Sequence, residues 1–254
     1  MMTIRSYASA LALTGAFMAT QVAAQEAPVD TDARGAYVSL HAGVAGVNDV
    51  NVGYFDEGGT FGGSGATDTA AFRVDLKNAF TFGGAIGYDF GTVRGDIELN
   101  YSRNRVKGLE LRNINGQTVT LDAADRAEVC DYLEADSCGG SGNSFTFDGS
   151  RLRQLSALAN LWLDIPTGSV VTPYAGGGLG IAGYELDGEG KARFAWQLGA
   201  GVAFDVSPGV SLSVDYRRRQ TNGTTITDDE FPDAGVRIGK VKTNLFTAGL
   251  RFRF

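Results

Sequence analysis

Histidine, cysteine and proline are scarce in this sequence of 254 residues, which contains one, two and five of them respectively. The single histidine, His41, and the lack of any cysteine–histidine cluster argue against a structural zinc site. Lysine and arginine form no tract, and the net charge of −7 argues against nucleic acid as a partner. Beyond the N-terminus no apolar stretch reaches the ~18 residues of a membrane-spanning helix. We therefore expect no metal, no cofactor and no nucleic-acid partner.

Strict alternation of apolar and polar residues is what the sequence has in abundance, and the C-terminal segment shows it best. From Phe246 to Phe254, every second side chain is apolar, and the intervening ones are polar or small. The apolar set, read back from the C-terminus, is Phe254, Phe252, Leu250, Ala248 and Phe246. A period of two predicts a strand whose two faces meet different solvents. A final aromatic residue suits the interfacial girdle of a membrane barrel.

Eight such stretches occur along the chain, each long enough to cross a bilayer at a tilt of about 45°. They cover approximately 35–44, 78–90, 93–102, 153–164, 171–184, 193–206, 210–219 and 241–254. One face carries aliphatic and aromatic residues, and the other carries several charges, which lipid and a polar lumen would each accept. A soluble barrel such as a lipocalin would place its apolar residues inside. The sequence predicts an all-β protein, an eight-stranded antiparallel up-and-down transmembrane barrel.

The N-terminal 24 residues have the order of a cleaved signal peptide: a basic residue, an apolar stretch and small residues before Gln25. A transmembrane anchor is the alternative, but the apolar stretch is short for one. We expect a signal peptide at 1–24, a periplasmic lead-in at 25–33 and a barrel from 34 to 254. Long external loops are expected at about 45–77, 106–150 and 220–240, because outer-membrane barrels combine short periplasmic turns with long outer loops.

Several segments in this order resemble the small porin-family proteins of Gram-negative bacteria, the eight-stranded outer membrane protein beta-barrel domain group. They are GAYVSLHAG at 35–43, PYAGGGLG at 173–180, AWQLGAG at 195–201, VDY at 214–216 and the terminal Phe254. The resemblance implies residence in the Gram-negative cell outer membrane, among lipid and lipopolysaccharide. It also implies that Phe254 is part of the signal read by the barrel-assembly machinery.

A set of charged residues falls on the face predicted to line the lumen. These are Arg94, Asp96, Glu98, Asp205, Asp215, Arg217, Arg251 and Arg253. Eight strands enclose an interior that side chains just fill, and charges removed from water must be paired. The set is interpreted either as a packed polar core or as a narrow ion path. Glycines at 176, 178, 180, 199 and 201 would make room for long side chains there.

Two further features could carry chemistry. Ser39 and His41 share the lumen face of the first strand, and a hydroxyl near an imidazole is a hydrolase combination, as in some lipid A deacylases. The second outer loop is acidic, and 121–135 could form a short helix that begins at Asp122. Carboxylates suit calcium, but the spacing is not that of an EF-hand. Cys130 and Cys138 are predicted to form a disulfide, since an exported chain meets an oxidising compartment.

Three functions remain open. A structural or cell-surface interaction role, with an external protein partner bound through the loops, is the primary hypothesis. A narrow channel for ions or small polar solutes is the second, and an enzyme that modifies lipid A is the third. No catalytic residue is assigned, because the lone histidine of a barrel interior is usually a satisfied polar group.

Overall fold

The computed structural model describes residues 34–58, 67–132, 138–146, 151–186, 189–227 and 233–254. The predicted signal peptide and periplasmic lead-in lie outside these residues. These described residues form thirteen strands and one helix, in chain order: β1 (Gly35–Val47), β2 (Val50–Asp56), β3 (Asp68–Leu76), β4 (Ala79–Asp89), β5 (Val93–Ile114), α1 (Ala123–Tyr132), β6 (Ser144–Phe145), β7 (Arg151–Asp164), β8 (Val171–Leu186), β9 (Glu189–Ser207), β10 (Val210–Thr221), β11 (Thr224–Thr227), β12 (Ala234–Ile238) and β13 (Val241–Arg253). Within the described ranges no helix has both the length and the apolarity to cross a membrane.

Eight of the strands close into a ring, which confirms the predicted fold class. The order around the ring is β1, β4, β5, β7, β8, β9, β10 and β13, and every neighbouring pair is antiparallel. The last pair joins the two ends of the chain, with Tyr37 of β1 opposite Arg253 of β13. Because strands adjacent in the ring are also consecutive among these eight, the barrel is an up-and-down one.

The alternation that predicted the strands separates the two surfaces of the barrel wall. On β5, Leu99 points outward and is 55% exposed, whereas its neighbour Glu98 points inward and is 2% exposed. On β7, Leu161 is 65% exposed and Trp162 is buried. Outward aliphatic and aromatic side chains continue around the ring as an apolar belt, as a lipid-facing wall requires.

The ranges predicted as long external loops contain a second sheet, which the sequence did not predict. Its strands follow the order β11, β12, β2, β3 and the far half of β5, and β6 adds to the same half of β5. We call this the outer sheet. β5 joins both structures because it runs without a break from the barrel wall into the outer sheet. The sequence of β5 does not alternate regularly in this part, because the β3–β5 pairing shifts register twice. Each shift moves the following side chains to the other face of the sheet.

The outer sheet carries the helix that the acidic loop predicted. The backbone N–H groups of Ala124 and Asp125 both donate to Asp122 Oδ1, at 2.8 and 2.9 Å, so Asp122 caps the N-terminus of α1. The Asp122 N–H in turn donates to Asp125 Oδ2 at 3.0 Å, which completes a reciprocal cap. A hydrophobic cluster built on Ala70, Leu111 and Phe145 lies beneath the helix and packs against Val129 of α1 and both cysteines.

Candidate functional site: the barrel lumen and its outer mouth

A buried cluster of charges fills the middle of the lumen around Glu98. Arg217 of β10 forms ion pairs with Glu98, through Nη1, and with Asp215, whose Oδ1 lies 2.7 Å from Nε. Arg219 reaches the same Glu98 carboxylate at 3.1 Å. Two strands far apart in sequence, β5 and β10, position these groups, and each charge faces at least one opposite charge. The arrangement satisfies the requirement for paired charges away from water.

Nearer the periplasmic end, a second layer of charge crosses the lumen. Arg94 donates two hydrogen bonds to Asp164, at 2.6 and 2.8 Å, in the bidentate geometry that favours arginine–carboxylate pairs. Arg253 pairs with Asp89 at 3.3 Å. The Arg251 guanidinium lies 5.8 Å from the centre of the Tyr37 ring, a cation–π distance.

Asp96 and Asp205 are held by neutral donors instead of cations. Asp96 accepts hydrogen bonds from Tyr37 Oη at 2.8 Å, Trp162 Nε1 at 3.0 Å and Asn160 Nδ2 at 2.7 Å. Asp205, at the periplasmic rim, accepts one from Ser211 Oγ at 2.6 Å. A carboxylate with several donors is well stabilised without a salt bridge.

The structure therefore brings the eight predicted lumen charges to one interior, but it pairs few of them with one another. Within that set, Arg217 alone bridges two members, Glu98 and Asp215. The other ion pairs use Asp89, Asp164 and Arg219, none of which was in the predicted set. Their inward position follows from the same alternation. The alternation does not determine which strands face each other across the lumen, so the ion pairs that cross the lumen could not be inferred from it.

His41 belongs to this interior network. Its Nε2 lies 3.2 Å from Asn100 Nδ2, and the imidazole is 7% exposed. Asn100 Oδ1 accepts from Arg219 at 3.3 Å, so the histidine connects to the central charges. Among the described residues no hydrogen bond joins His41 to Ser39, which lines a cavity lower in the lumen. Both side chains face away from the lipid.

Glycine makes room in the lumen for aromatic rings as well as for arginine. Tyr37 stands opposite Gly87, and Tyr174 stands opposite Gly201 in the register of their strands. A Cβ added at Gly201 would lie 2.7 Å from the Tyr174 ring. Tyr174 uses that space to donate to Asp215 at 3.0 Å. Gly199 leaves space for the Arg217 side chain, as the sequence suggested for this position.

Among the described residues the lumen contains a small cavity. The lumen cavity between the two charged layers measures about 40 Å³, which is room for a few water molecules. At the outer mouth a hydrophobic layer closes the barrel, with Val47, Val50, Tyr184 and Val241 buried in contact with one another. Partly buried apolar side chains of the outer sheet and barrel, including Val52 and Ile238, pack on that layer. The lumen is thus filled by ion pairs and capped by apolar residues.

The outer sheet has its own stabilising contacts. Cys130 and Cys138 form a disulfide that joins α1 to the segment after it. Arg126 of α1 donates to the carbonyls of Gly142, Ser144 at 3.0 Å and Gly139 at 3.2 Å. In the described ranges no group of three or more acidic, histidine or cysteine side chains could hold a metal ion. Glu134 and Asp136 of the acidic loop lie outside those ranges.

A pair of acids marks the join between barrel and outer sheet. Partial burial, and then the charge of the Asp49 carboxylate, raise the pKa of Asp75, whereas the nearby cations Lys107 and Arg73 act to lower it. Arg73 lies 3.9 Å from Asp49. The negative charge of these two carboxylates is therefore partly offset by the basic side chains beside them.

A closed ring of eight antiparallel strands with an apolar outside and a charged, filled inside defines a transmembrane β-barrel. Residues 9–254 match the family described as outer membrane protein beta-barrel domain, and the chain belongs to that family. The protein is therefore an outer-membrane protein of Gram-negative bacteria.

Individual relatives are more distant. An uncharacterized protein of Brucella abortus (strain 2308) is 28% identical over 227 residues, which span 75% of this chain and 74% of that protein. Among solved structures, Neisserial surface protein A (NspA) is 18% identical, with 86% of this chain and 97% of that chain covered and a TM-score of 0.42. OprG of Pseudomonas aeruginosa is 12% identical, with coverage of 87% and 97% and a TM-score of 0.45.

Proposed function

We propose that this protein is a non-conducting anchor that presents the outer sheet at the cell surface for structural or interaction work. The observation that supports this most directly is the filled lumen, in which two layers of paired charge lie beneath a hydrophobic layer. A conducting pore needs a continuous water path, and a cavity of about 40 Å³ does not extend across the barrel.

The outer sheet supplies the surface for such a role. Its strands are hydrogen-bonded to β5, so the sheet is an extension of the barrel wall and not a set of separate loops. At its far end, β11 (Thr224–Thr227) pairs with β12 and is the edge strand of the described sheet. A sheet edge offers backbone donors and acceptors to an extended segment of a partner protein.

Binding of cells to host matrix or to other cells, with and without the outer sheet, tests the interaction role. We compare the natural chain with a variant in which 107–149 is replaced by an Asn-Gly turn, which keeps the β5–β7 barrel pairing up to Arg105 and Arg151. A second variant lacks 225–237 and so removes most of β11 and β12. Adhesion should fall in both, while heat-modifiable gel mobility shows that the barrel still folds. Adhesion unchanged in both variants would remove this role.

Conductance and lipid analysis test the two competing functions. The purified barrel should show no unit conductance in planar bilayers of different lipids and at different voltages. Reproducible channels would instead establish the narrow pore. Lipid A isolated from cells that overexpress the protein should have the same mass as lipid A from cells with the Ser39→Ala/His41→Ala variant. A difference between the two strains would establish the enzyme.

A further inference from the structure

Arginines stand opposite one another on the outward face of β5 and β7, just above the apolar belt. The register places Arg103 opposite Arg153 and Arg105 opposite Arg151. Directly opposed residues of an antiparallel pair have Cβ atoms about 5 Å apart, and like charges in that position destabilise the sheet. Two successive rows of such pairs therefore create a local excess of positive charge. We call these four residues the arginine platform.

Along the membrane normal, the platform lies at the level of the lipid headgroups. Leu155, two residues below Arg153, and Leu99, four residues below Arg103, are 58% and 55% exposed and belong to the lipid-facing belt. Tyr101 stands opposite Leu155, directly below the platform, and its ring is 5.5 Å from that of Phe82. Aromatic residues of this kind mark the boundary between hydrocarbon and headgroups. The platform lies on the side of the outer sheet, so it faces the outer leaflet.

Basic residues around the platform add to its positive charge. Lys107 follows on β5, and Lys77 donates its backbone N–H to the Arg105 carbonyl at 2.8 Å, which brings a further basic residue to the same level. Asp75 is the acidic neighbour of Lys107. Arg153 already has a partner within the chain, and it stands opposite Glu185 in the register of β7 and β8.

The remaining three platform cations are available to a ligand. Arg103 and Arg105 are exposed and Arg151 is half-buried. Over the part of the chain that the structure describes, none of the three forms an ion pair.

We propose that the arginine platform binds the phosphate groups of the phosphorylated glycolipid of the outer leaflet, lipopolysaccharide. A phosphate between Arg105 and Arg151 would convert their repulsion into two attractive contacts, and Arg103 on the next row adds a third cation. Arginine binds phosphate through a planar pair of N–H donors, which a lysine ammonium cannot reproduce. Cations at a membrane surface also attract anionic headgroups without leaving water. This site is independent of the role proposed for the outer sheet, because it lies on the barrel wall beneath it.

Binding of full-length folded protein to lipopolysaccharide tests the proposal. Phosphatidylcholine vesicles containing the protein are titrated with lipopolysaccharide, with enzymatically dephosphorylated lipopolysaccharide, and with inorganic phosphate as competitor. The test variant is Arg103→Gln/Arg105→Gln/Arg151→Gln. The matched control is Arg218→Gln/Lys242→Gln, which removes outward basic residues from β10 and β13, on a different part of the barrel wall. Heat-modifiable mobility is measured for each, and Arg105→Glu alone serves if the triple variant does not fold.

We expect the triple variant to bind lipopolysaccharide roughly 100-fold more weakly than the natural chain, since each of the three platform cations that contacts a phosphate contributes a factor of about five. The control should stay within a few-fold. The dephosphorylated glycolipid should bind the natural chain as weakly as intact glycolipid binds the triple variant, and excess inorganic phosphate should not compete. Equal binding by natural and triple variants, equal loss in the control, or no effect of dephosphorylation would overturn the proposal. Full displacement by inorganic phosphate would show a site for free anions and would overturn the lipid assignment.

Discussion

Glu98 shows how a single residue depends on its partners inside this barrel. It carries a charge where almost no solvent reaches, and two arginines from β10 neutralise it. The attraction within such a cluster largely offsets the free energy lost by removing the charges from water. The cluster therefore adds little net stability as a whole, yet the loss of one member leaves the others uncompensated.

Replacing Arg217 by methionine should lower the free energy of unfolding by about 3–5 kcal/mol, because Glu98 and Asp215 lose their shared cation. Arg218→Met is the control at the adjacent position. Arg218 is exposed and bonds Asn244 at 3.1 Å, so its loss should cost roughly 0.5 kcal/mol or less. Urea unfolding in lipid vesicles, followed by tryptophan fluorescence, measures both. Equal effects would contradict the view that the inner charges act as a unit.

Gly201→Ala should destabilise the barrel by about 1–3 kcal/mol, since the new methyl group would overlap the Tyr174 ring and the Asp215 side chain. The ring would have to move and weaken its hydrogen bond to Asp215. Gly95→Ala is the matched control on the lipid face, where the nearest side-chain atom is 3.6 Å away. The same urea unfolding experiment applies, and a loss at Gly95 as large as at Gly201 would contradict the packing argument.

Strand β5 connects the barrel to the outer sheet. Its 22 residues pair with β4 and β7 in the wall and with β3 and β6 beyond it. The outer sheet is thereby held at a fixed register relative to the barrel. The contacts of α1 with this sheet are local, so they should be separable from barrel folding.

Arg126→Gln should open the α1 segment more than removal of the disulfide does. Arg126 donates to three carbonyls and lies 4.5 Å from the Phe145 ring, whereas the Cys130–Cys138 bridge closes only a short stretch of chain. The measurement is limited proteolysis of folded protein in vesicles, with cleavage sites between 117 and 143 identified by mass spectrometry.

The expected order of cleavage rates is Arg126→Gln, then Cys130→Ser/Cys138→Ser, then the natural chain. Arg112→Gln, which removes an exposed pairing with Glu110, should behave like the natural chain. Faster cleavage in the cysteine variant than in Arg126→Gln would show that the covalent link is the main constraint.

For the whole molecule, the inner charges and the apolar mouth act as two barriers in series. One variant removes the central charges together by alanine substitution of Glu98, Asp215, Arg217 and Arg219. Another, Val50→Ser/Tyr184→Ser, makes the hydrophobic layer polar. Each alone should stay silent in planar bilayers, because the other barrier remains. The variant that combines both sets of substitutions should conduct ions. If this variant folds and shows no conductance, neither layer is the barrier that closes the barrel.

Loss of Phe254 should reduce assembly without reducing the stability of the assembled barrel. The side chain is 82% exposed, and the backbone N–H donates to the Ala36 carbonyl at 2.9 Å. Deletion should lower the heat-modifiable protein found in outer membranes, while protein refolded in vesicles unfolds at an unchanged urea concentration. Arg253→Gln, which loses the pair with Asp89 but keeps the aromatic terminus, should do the opposite.

The sequence predicted the ring well because lipid and lumen impose a period of two on every wall strand. It did not predict the outer sheet, since the register shifts on β5 break that period. One signal was present: Asn115-Gly116 has the two positive backbone φ angles of a tight hairpin turn, 50° and 76°, and this dipeptide is typical of such turns. The pairing of Glu98 with Arg217 and Arg219 could not be predicted, because it joins β5 and β10, which lie on opposite sides of the ring.

The seam between β1 and β13 also determines when the barrel can be finished. Tyr37 and Arg253 lie at opposite ends of the chain, so this pairing closes the largest loop in the molecule. Pairing between such distant segments is slow. Until it forms, one edge of β1 exposes unsatisfied backbone groups that favour aggregation. The lifetime of that open edge, more than the stability of the closed barrel, sets how long the chain remains prone to aggregation.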